Sequence, residues 1–371
     1  MSPGESWTIG KNAHVGSNLS NGVHSTFSAS ELTNKGAVYS TQGYGVLFSG
    51  GDSSITNKDS GNITGFLAGI YLGGYNNNLS NYGDISAKGA TGDGVFIYDS
   101  YGTWIKNYGD IFGIRSGIWI QNTSPVSQGP KIDNHDRIHS SGPAIFFDGY
   151  SDEKTTIINR DGARITGDNG AAIYVQDGAI TVKNSGVIKG LVQGDVTEEI
   201  DDKIVNKGSI KGDVNLWGGD DKVVNKGKIK GDVHLGGGDD TYKSKAGKAK
   251  MVFSDYGNDK LIAGDSKDKF VFSSALDSFQ NVDTVKKFEP GYDKFYLHTM
   301  IFSSLATGPL PASQFHKGKQ AADSDDYIIY DKKEGDLYFD RDGSGNLYAQ
   351  VEFAHVQKNL DLSHHDFTVM A

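Results

Sequence analysis

The stretch Ile204-Val205-Asn206-Lys207-Gly208-Ser209-Ile210 recurs almost unchanged as Val223-Val224-Asn225-Lys226-Gly227-Lys228-Ile229. Asparagines at similar intervals extend this phrase back along the chain: Asn34, Asn57, Asn81, Asn107, Asn134, Asn159, Asn184, Asn206 and Asn225. A repeat of roughly 20–30 residues, with short β-branched segments and no helical pattern, indicates stacked coils. We therefore predict a right-handed parallel β-helix whose inward asparagines hydrogen-bond along its axis at the ~4.8 Å strand spacing.

Composition supports this architecture and excludes several functional classes. Glycine is abundant at 50 of 371 residues and proline is scarce at 7, which fits tight turns in a repeated β structure and disfavours collagen or a flexible linker. The net charge of -10 argues against nucleic-acid binding by charge neutralisation. The chain has no cysteine, so disulfide scaffolds and zinc-thiolate sites are excluded. No apolar run approaches the roughly 18 residues of a membrane-spanning helix.

One strand in each coil has an inward aliphatic column and an outward aromatic one. The inward column is Val46, Ile70, Val95, Ile118, Ile145 and Ile173. The outward column is predicted to bind a ligand through Tyr71, Phe96, Trp119, Phe146 and Tyr174. A large exposed apolar area usually marks a partner, and sugar rings stack well on such faces. A loop or another subunit that covers the column is the alternative.

The next outward column holds the candidates for catalysis. Asp148 and Asp99 would lie two coils apart, about 10 Å by strand spacing, which is nearer to the carboxylate separation of inverting glycosidases than to that of retaining ones. Tyr98 could instead serve as the acid of a lyase or an epimerase. Surface aspartates are common in such coils, which favours a surface role without catalysis for these residues.

After about residue 235 the repeat changes to turns rich in glycine and aspartate. Asp221, Asp240 and Asp259 are evenly spaced by one full repeat, so they should stack on successive coils, and Asp268 follows after about half that step. Stacked carboxylates repel one another unless a hard cation lies between them. Calcium suits this role because it accepts six or more oxygen ligands, including backbone carbonyls of glycine turns. The predicted calcium ligands are Asp221, Gly238, Asp240, Gly257, Asp259 and Asp268.

The segment from about 235 to 371 resembles the repeats-in-toxin (RTX) calcium-binding proteins. Residues 236–242, Gly-Gly-Gly-Asp-Asp-Thr-Tyr, come nearest to their nonapeptide repeat, and the close Asp366-Phe367-Thr368-Val369-Met370-Ala371 is similar to their uncleaved export signals. The resemblance implies export by the type I secretion machinery of a Gram-negative bacterium, without an N-terminal signal peptide. It also implies an extracellular protein that calcium folds outside the cell.

Together these patterns predict an all-β chain of four segments. They are an N-terminal cap at 1–30, the parallel β-helix at 31–235, the RTX-like calcium β-roll at 236–275 and a β-rich export-signal domain at 276–371. Rigid coils without lids favour an adhesin-like binding or matrix protein for polysaccharide or cell-surface glycan, which can also self-associate. The alternative is a polysaccharide-acting lyase, epimerase or glycoside hydrolase. The mannuronan epimerases that join such segments carry Asp-Pro-His, and no proline here precedes a histidine.

Overall fold

The computed structural model describes residues 4–123, 128–149, 154–196 and 199–371. The chain is nearly all β, and its parallel strands stack into a β-solenoid of about 12 turns, so the predicted solenoid is confirmed. It divides into two compact units, Met1–Gly212 and Asp213–Ala371. None of the helices within the described part of the chain has the length and hydrophobicity that crossing a membrane requires.

The first unit is built from short strands, up to three in each coil. In chain order they are β1 (Ser6–Ile9), β2 (His14–Ser17), β3 (Val23–Ser25), β4 (Glu31–Asn34), β5 (Ala37–Ser40), β6 (Tyr44–Phe48), β7 (Ser54–Asn57), β8 (Asn62–Gly65), β9 (Ala68–Gly73), β10 (Asn78–Asn81), β11 (Asp84–Ala87), β12 (Asp93–Tyr98), β13 (Trp104–Asn107), β14 (Asp110–Gly113), β15 (Ser116–Gln121), β16 (Lys131–Asn134), β17 (Arg137–Ser140), β18 (Ile145–Asp148), β19 (Lys154–Asn159), β20 (Arg164–Asp177), β21 (Ala179–Asn184), β22 (Val187–Gln193), β23 (Lys203–Asn206) and β24 (Ser209–Ile210).

The first strand of each coil carries the asparagine ladder. These strands, which we call the ladder sheet, pair in parallel and in register in the order β1, β4, β7, β10, β13, β16, β19, β21 and β23. Asn34 Nδ2 donates to Asn57 Oδ1 at 2.9 Å, and the same bond of 2.8 to 2.9 Å recurs as far as Asn206. An amide is both donor and acceptor, so this buried column satisfies itself. The predicted ladder is confirmed from Asn34 to Asn206.

The third strand of each coil presents one face to the core and one to solvent. Val46, Ile70, Val95, Ile118, Ile145 and Ile173 form the inward column and are fully buried. Glycine makes the tight corner before this strand, because a Cβ on Gly65 would lie 1.6 Å from the Ala68 carbonyl oxygen and one on Gly113 would lie 1.7 Å from that of Ser116. Stacked β-branched side chains and repeated corners fix which residues face outward.

The segment expected to cap the N-terminal end forms a coil of the solenoid. Strands β1, β2 and β3 pair in parallel with β4, β5 and β6, in register with them. The sequence looks polar here because few positions face the core, among them Ile9 and Val23. Its strands therefore belong to the stack that they were expected to cover.

The second unit continues with shorter strands and ends in an antiparallel part. Its elements are β25 (Val214–Asn215), β26 (Lys222–Asn225), β27 (Lys228–Ile229), β28 (Val233–His234), β29 (Thr241–Ser244), β30 (Val252–Phe253), β31 (Lys260–Ile262), β32 (Lys269–Phe272), β33 (Asp283–Lys286), β34 (Lys294–His298), β35 (Gly308–Pro309), β36 (Phe315–Lys317), β37 (Ile328–Asp331), β38 (Asp336–Phe339), β39 (Val351–His355) and β40 (Phe367–Met370), with short 3₁₀ helices at Ala312–Gln314 and His364–Asp366.

Coil stacking in this unit outlasts the sequence repeat. Strands β26, β29, β31 and β33 pair in parallel, as do β28, β30, β32, β34 and β40. The repeat looks finished near Ser274 because a longer connection precedes β33, yet Val285 and Phe295 still fill inward positions. Strands β37, β38 and β39 then form an antiparallel meander.

Candidate functional site

The outward aromatic column of the first unit is continuous. Ring centroids of neighbouring residues are 5.4 Å apart for Tyr71 and Phe96, 4.6 Å for Phe96 and Trp119, 6.0 Å for Trp119 and Phe146, and 5.6 Å for Phe146 and Tyr174. Direct pairing of these residues across parallel strands sets this spacing. Each side chain is half-buried, so the structure brings the five predicted ligand-binding residues together as one surface, which we call the stripe.

A pocket of about 420 Å³ opens on the stripe at Tyr71, Phe96 and Trp119. We call it the stripe pocket. The Arg115 guanidinium lies 3.7 Å from the centroid of a Trp119 ring, in cation–π contact. Asp93 holds this arginine with both carboxylate oxygens, and its Oδ1 also accepts a 2.7 Å bond from the Ser116 hydroxyl. Arginine and tryptophan are thereby fixed before any ligand arrives.

The groups in the stripe pocket favour hydrogen bonding over charge. Burial raises the pKa of Tyr71 to about 12 and also raises the pKa of Tyr44, so both phenols keep their protons at neutral pH. Asp93 is fully buried, and desolvation raises its pKa against the opposing effect of Arg115. The charges of Asp93 and Arg115 offset each other. The pocket thus offers ring faces, hydroxyls and one oriented guanidinium.

Of the three residues proposed for catalysis, only Tyr98 is among the residues that line this pocket. Its strand register continues through Gln121 to Asp148. Gln121 Nε2 donates to Asp148 Oδ2 at 3.3 Å. The Asp99 carboxylate accepts bonds from the Thr123 amide and hydroxyl at 2.5 to 3.0 Å. Tyr98 and Asp148 share a column two coils apart, and the catalytic role of all three stays a prediction.

In the second unit the stacked aspartates lie as the sequence predicts. The Asp221 amide donates to Asp240 Oδ1 at 2.6 Å, the Asp240 amide to Asp259 Oδ1 at 2.8 Å, and the Asp259 amide to Asp283 Oδ1 at 3.0 Å. All four side chains are at most 2% exposed. Asp283 is a fourth member that the sequence reading missed. The step from Asp259 to Asp283 is longer than the earlier steps of the column and hides it, although Asp283-Thr284-Val285 copies the pattern of Asp259-Lys260-Leu261.

This column lacks compensating charge. The second carboxylate oxygens of Asp240 and Asp259 are inaccessible to solvent and accept no hydrogen bond from any described residue. Burial raises the pKa of Asp240 to about 8, and burial together with the charge of Asp283 raises that of Asp259. Across residues 199–371, no lysine, arginine or histidine forms an ion pair with either. A set of ligand atoms made only of oxygen fits a hard cation such as calcium.

Glycine turns bring the backbones of neighbouring coils unusually close beside these aspartates. Gly238 and Gly257 have φ values of +123° and +136°, and a Cβ on Gly257 would lie 1.9 Å from the Gly238 carbonyl oxygen. Only glycine tolerates such a conformation at this distance. Gly238 and Gly257 each precede an aspartate of the column by two residues, and their role as calcium ligands stays a prediction.

The structure assigns Asp268 to a separate column. Its amide donates to Asp293 Oδ1 at 2.9 Å, and Asp366 Oδ1 accepts from the Gly291 amide at 2.6 Å. The second oxygen of Asp268 accepts from the Gly264 amide at 2.8 Å, and burial raises its pKa to about 6. Each of these carboxylates therefore accepts a hydrogen bond from a backbone amide. Asp268 lies apart from Asp240 and Asp259, and its role as a calcium ligand stays a prediction.

A scan against protein-family models and a search of curated proteins found no match to the chain.

One further cluster in the second unit combines carboxylates with a histidine. His355 Nδ1 lies 2.7 Å from Asp336 Oδ1, and His355 Nε2 lies 3.1 Å from Glu352 Oε1. One oxygen or nitrogen from each of the three residues falls within 4.8 Å of the others. The histidine is half-exposed and bridges both carboxylates, an arrangement that ion pairing alone explains.

Proposed function

We propose that the protein is an extracellular, calcium-dependent binding protein whose stripe takes up a polysaccharide. The observation that supports this most directly is the unbroken contact of five half-exposed rings on five successive coils. At the ~4.8 Å strand spacing these rings span about 20 Å, longer than one sugar. An extended, rigid aromatic track suits a linear polymer better than a small molecule.

The stripe pocket favours sugars without charge. Its phenols are protonated at neutral pH, and the charge of Arg115 is offset by Asp93. Hydroxyl groups of a neutral sugar can exchange hydrogen bonds with such groups, while the apolar part of the sugar packs against the half-exposed rings of the stripe. A neutral polysaccharide is therefore the expected ligand of the stripe.

Truncation of Trp119 tests this proposal. Trp119→Ala removes the central ring and the surface on which Arg115 rests, and we expect binding of a neutral polysaccharide to weaken about tenfold or more. Binding is measured by calorimetry across a panel of neutral polysaccharides with calcium present. Trp7→Ala, which removes an exposed tryptophan from β1 outside the stripe, is the matched control. Equal affinities of the two variants for every bound polymer would contradict the proposal.

Calcium dependence and secretion rest on other features. The aspartate column presents buried oxygens that accept no bond from described residues, and extracellular calcium near millimolar suits weak, rigid oxygen sites. The extracellular location and the type I export route rest on the resemblance of residues 235–371 to RTX proteins. They are tested by expressing the chain with and without its last residues beside a type I exporter and assaying the medium.

A polysaccharide-acting enzyme is the second candidate, favoured by the place of Tyr98 in the stripe pocket. Tyr98→Phe and Asp148→Asn should then abolish the release of sugars or unsaturated ends from the bound polymer. Asp99→Asn tests the third proposed catalytic residue in the same assay. If the folded, calcium-loaded protein releases no product from any polymer that it binds, the binding function stands and the enzyme is excluded for those polymers.

A further inference from the structure

The outward side of the ladder sheet is strongly basic between β13 and β23, although the chain carries a net charge of -10. We call this surface the ladder face. Its outward positions, with the residue after each strand, include the cations Lys106, Lys131, Lys154, Arg160, Lys183, Lys203 and Lys207. Asp133 is the acid at these positions. Further acids such as Asp136, Asp161 and Asp201 lie in the adjoining turns.

The one acid on the ladder face is already neutralised. Arg160 donates Nε to Asp133 Oδ1 at 2.7 Å and Nη2 to Asp133 Oδ2 at 2.8 Å, and this contact lowers the pKa of the carboxyl group. Lys183, Lys203 and Lys207, by contrast, form no ion pair with any residue that the structure describes. Their charges remain available to an anion.

These lysines surround a shared hollow of about 380 Å³. Arg160, Lys183, Lys203 and Lys207 line it, with Ile158 and Val205 among its apolar groups. Strand register puts Ile158, Lys183 and Val205 in one column on β19, β21 and β23. The cations therefore lie on successive coils at the ~4.8 Å strand spacing, with Ile158 and Val205 on either side of Lys183.

Aromatic rings extend the same face towards the N-terminus. Lys106 Nζ lies 3.7 Å and Lys131 Nζ 4.6 Å from the centroid of a Trp104 ring, in cation–π contact. Tyr108 stacks on Tyr82 at 4.9 Å and, on its other side, on His135 at 4.3 Å. Tyr82 and Tyr108 are about 40% exposed, so aromatic rings and ammonium groups share one accessible surface.

We propose that the ladder face binds an acidic polysaccharide, with uronate carboxylates against the lysines of the hollow and sugar rings against the accessible parts of Trp104 and Tyr108. A linear polyuronate carries one carboxylate per ring, so its charges repeat on the scale of the coils. A chain of net charge -10 repels a dense polyphosphate from a distance, which favours the more sparsely charged glycan. This surface lies on a different strand of each coil from the stripe and does not depend on the stripe's ligand.

Charge reversal with a matched control tests the proposal. Lys183→Glu with Lys207→Glu changes the charge of the ladder face, while Lys88→Glu with Lys189→Glu makes the same change on the other sheet of the unit. Binding of the full chain to polygalacturonate is measured by calorimetry in about 50 mM and about 500 mM sodium chloride. We expect the first pair to weaken binding about tenfold or more at low salt, and the second pair less than about twofold. All four lysines are exposed, and thermal midpoints verify that the variants fold.

Two outcomes would overturn the proposal. One is an equal loss, or no loss, in the two double variants, because binding would then reflect total charge or another surface. The other is tighter binding of single-stranded DNA than of polygalacturonate with the same dependence on Lys183 and Lys207, which would make the face a nucleic-acid site. Neutral polymers report on the stripe and polygalacturonate on the ladder face, so failure of one proposal is distinguished from failure of the other.

Discussion

In each coil, one residue directly precedes the strand of the ladder sheet. This residue is buried in both units, but the type of side chain that it carries differs. We call these positions the pre-strand column. In the first unit the Ser30 amide donates to Ser53 Oγ at 3.2 Å, and the Ser53 amide to Asn77 Oδ1 at 3.1 Å. In the second unit the Asp240 amide donates to Asp259 Oδ1 at 2.8 Å. The same backbone bond is therefore completed by neutral side chains at Ser53 and Asn77 and by carboxylates in the second unit. Asp202, in the last ladder strand's coil of the first unit, already has the carboxylate form, since its Oδ1 accepts from the Ile180 amide at 2.7 Å.

In the neutral column Ser53 and Asn77 also donate hydrogen bonds to backbone carbonyls, whereas an ionised aspartate of the second unit has no such bond to give. Ser53 Oγ donates to the Gly51 carbonyl at 3.2 Å, and Asn77 Nδ2 donates to the Gly73 carbonyl at 2.7 Å. An ionised carboxylate has no donor to give back, and its second oxygen stays unsatisfied in Asp240 and Asp259. Asp240 and Asp259 thus need protons or a cation at a position that Ser53 and Asn77 complete unaided in the first unit.

Placing an aspartate in the neutral pre-strand column of the first unit should have the largest effect on stability. Ser53→Asp places a carboxylate at a buried position that has no neighbouring aspartate column, and the Ser53 donor bond is lost. We expect the free energy of unfolding to fall by about 3–5 kcal/mol at neutral pH, since an uncompensated charge must be buried or protonated. Urea unfolding measures the loss, and Ser80→Asp, on the outward side of the same sheet, should stay within about 0.5 kcal/mol. Similar costs for the two variants would refute the comparison.

Calcium should act on the second unit alone. At a calcium concentration about 100 times the dissociation constant, we expect stabilisation by about 2.7 kcal/mol relative to chelator. Asp259→Asn keeps an acceptor for the Asp240 amide but removes a buried charge, so it should raise stability in chelator and remove most of the gain from calcium. Thermal unfolding in calcium and in EDTA measures both effects.

The neighbouring exposed aspartate is the control for that experiment. Asp239 Oδ1 accepts from the Asn258 amide at 2.9 Å, and an asparagine there keeps this bond. Asp239→Asn should therefore change stability by less than about 0.5 kcal/mol in either condition. A calcium response lost equally in the two variants would point to general surface charge instead of the buried column.

Features that recur at a fixed interval were predictable from the sequence. The asparagine ladder, the stripe and the stacking of Asp221, Asp240 and Asp259 each follow from one residue type on successive coils. Asp93 and Arg115 could not be found in this way, because they meet only through the stacking of neighbouring coils and their columns do not repeat the same residue types. The longer connection before β33 likewise hid Asp283 from a prediction based on a constant step.

The carboxylate column should also make stability depend on pH, with a sign opposite to that of ordinary salt-bridged acids. The pKa of Asp240 is about 8 when folded, against about 3.9 for an exposed aspartate. Between these values the folded chain holds a proton that the unfolded chain has released. In chelator, the free energy of unfolding should fall as pH rises from about 5 to about 7.5, by about 1.4 kcal/mol per pH unit for each such group. Urea midpoints measure the slope. Calcium binds the ionised carboxylates and should flatten it, whereas an equal slope with calcium and with EDTA would show that protons, and no cation, complete this column.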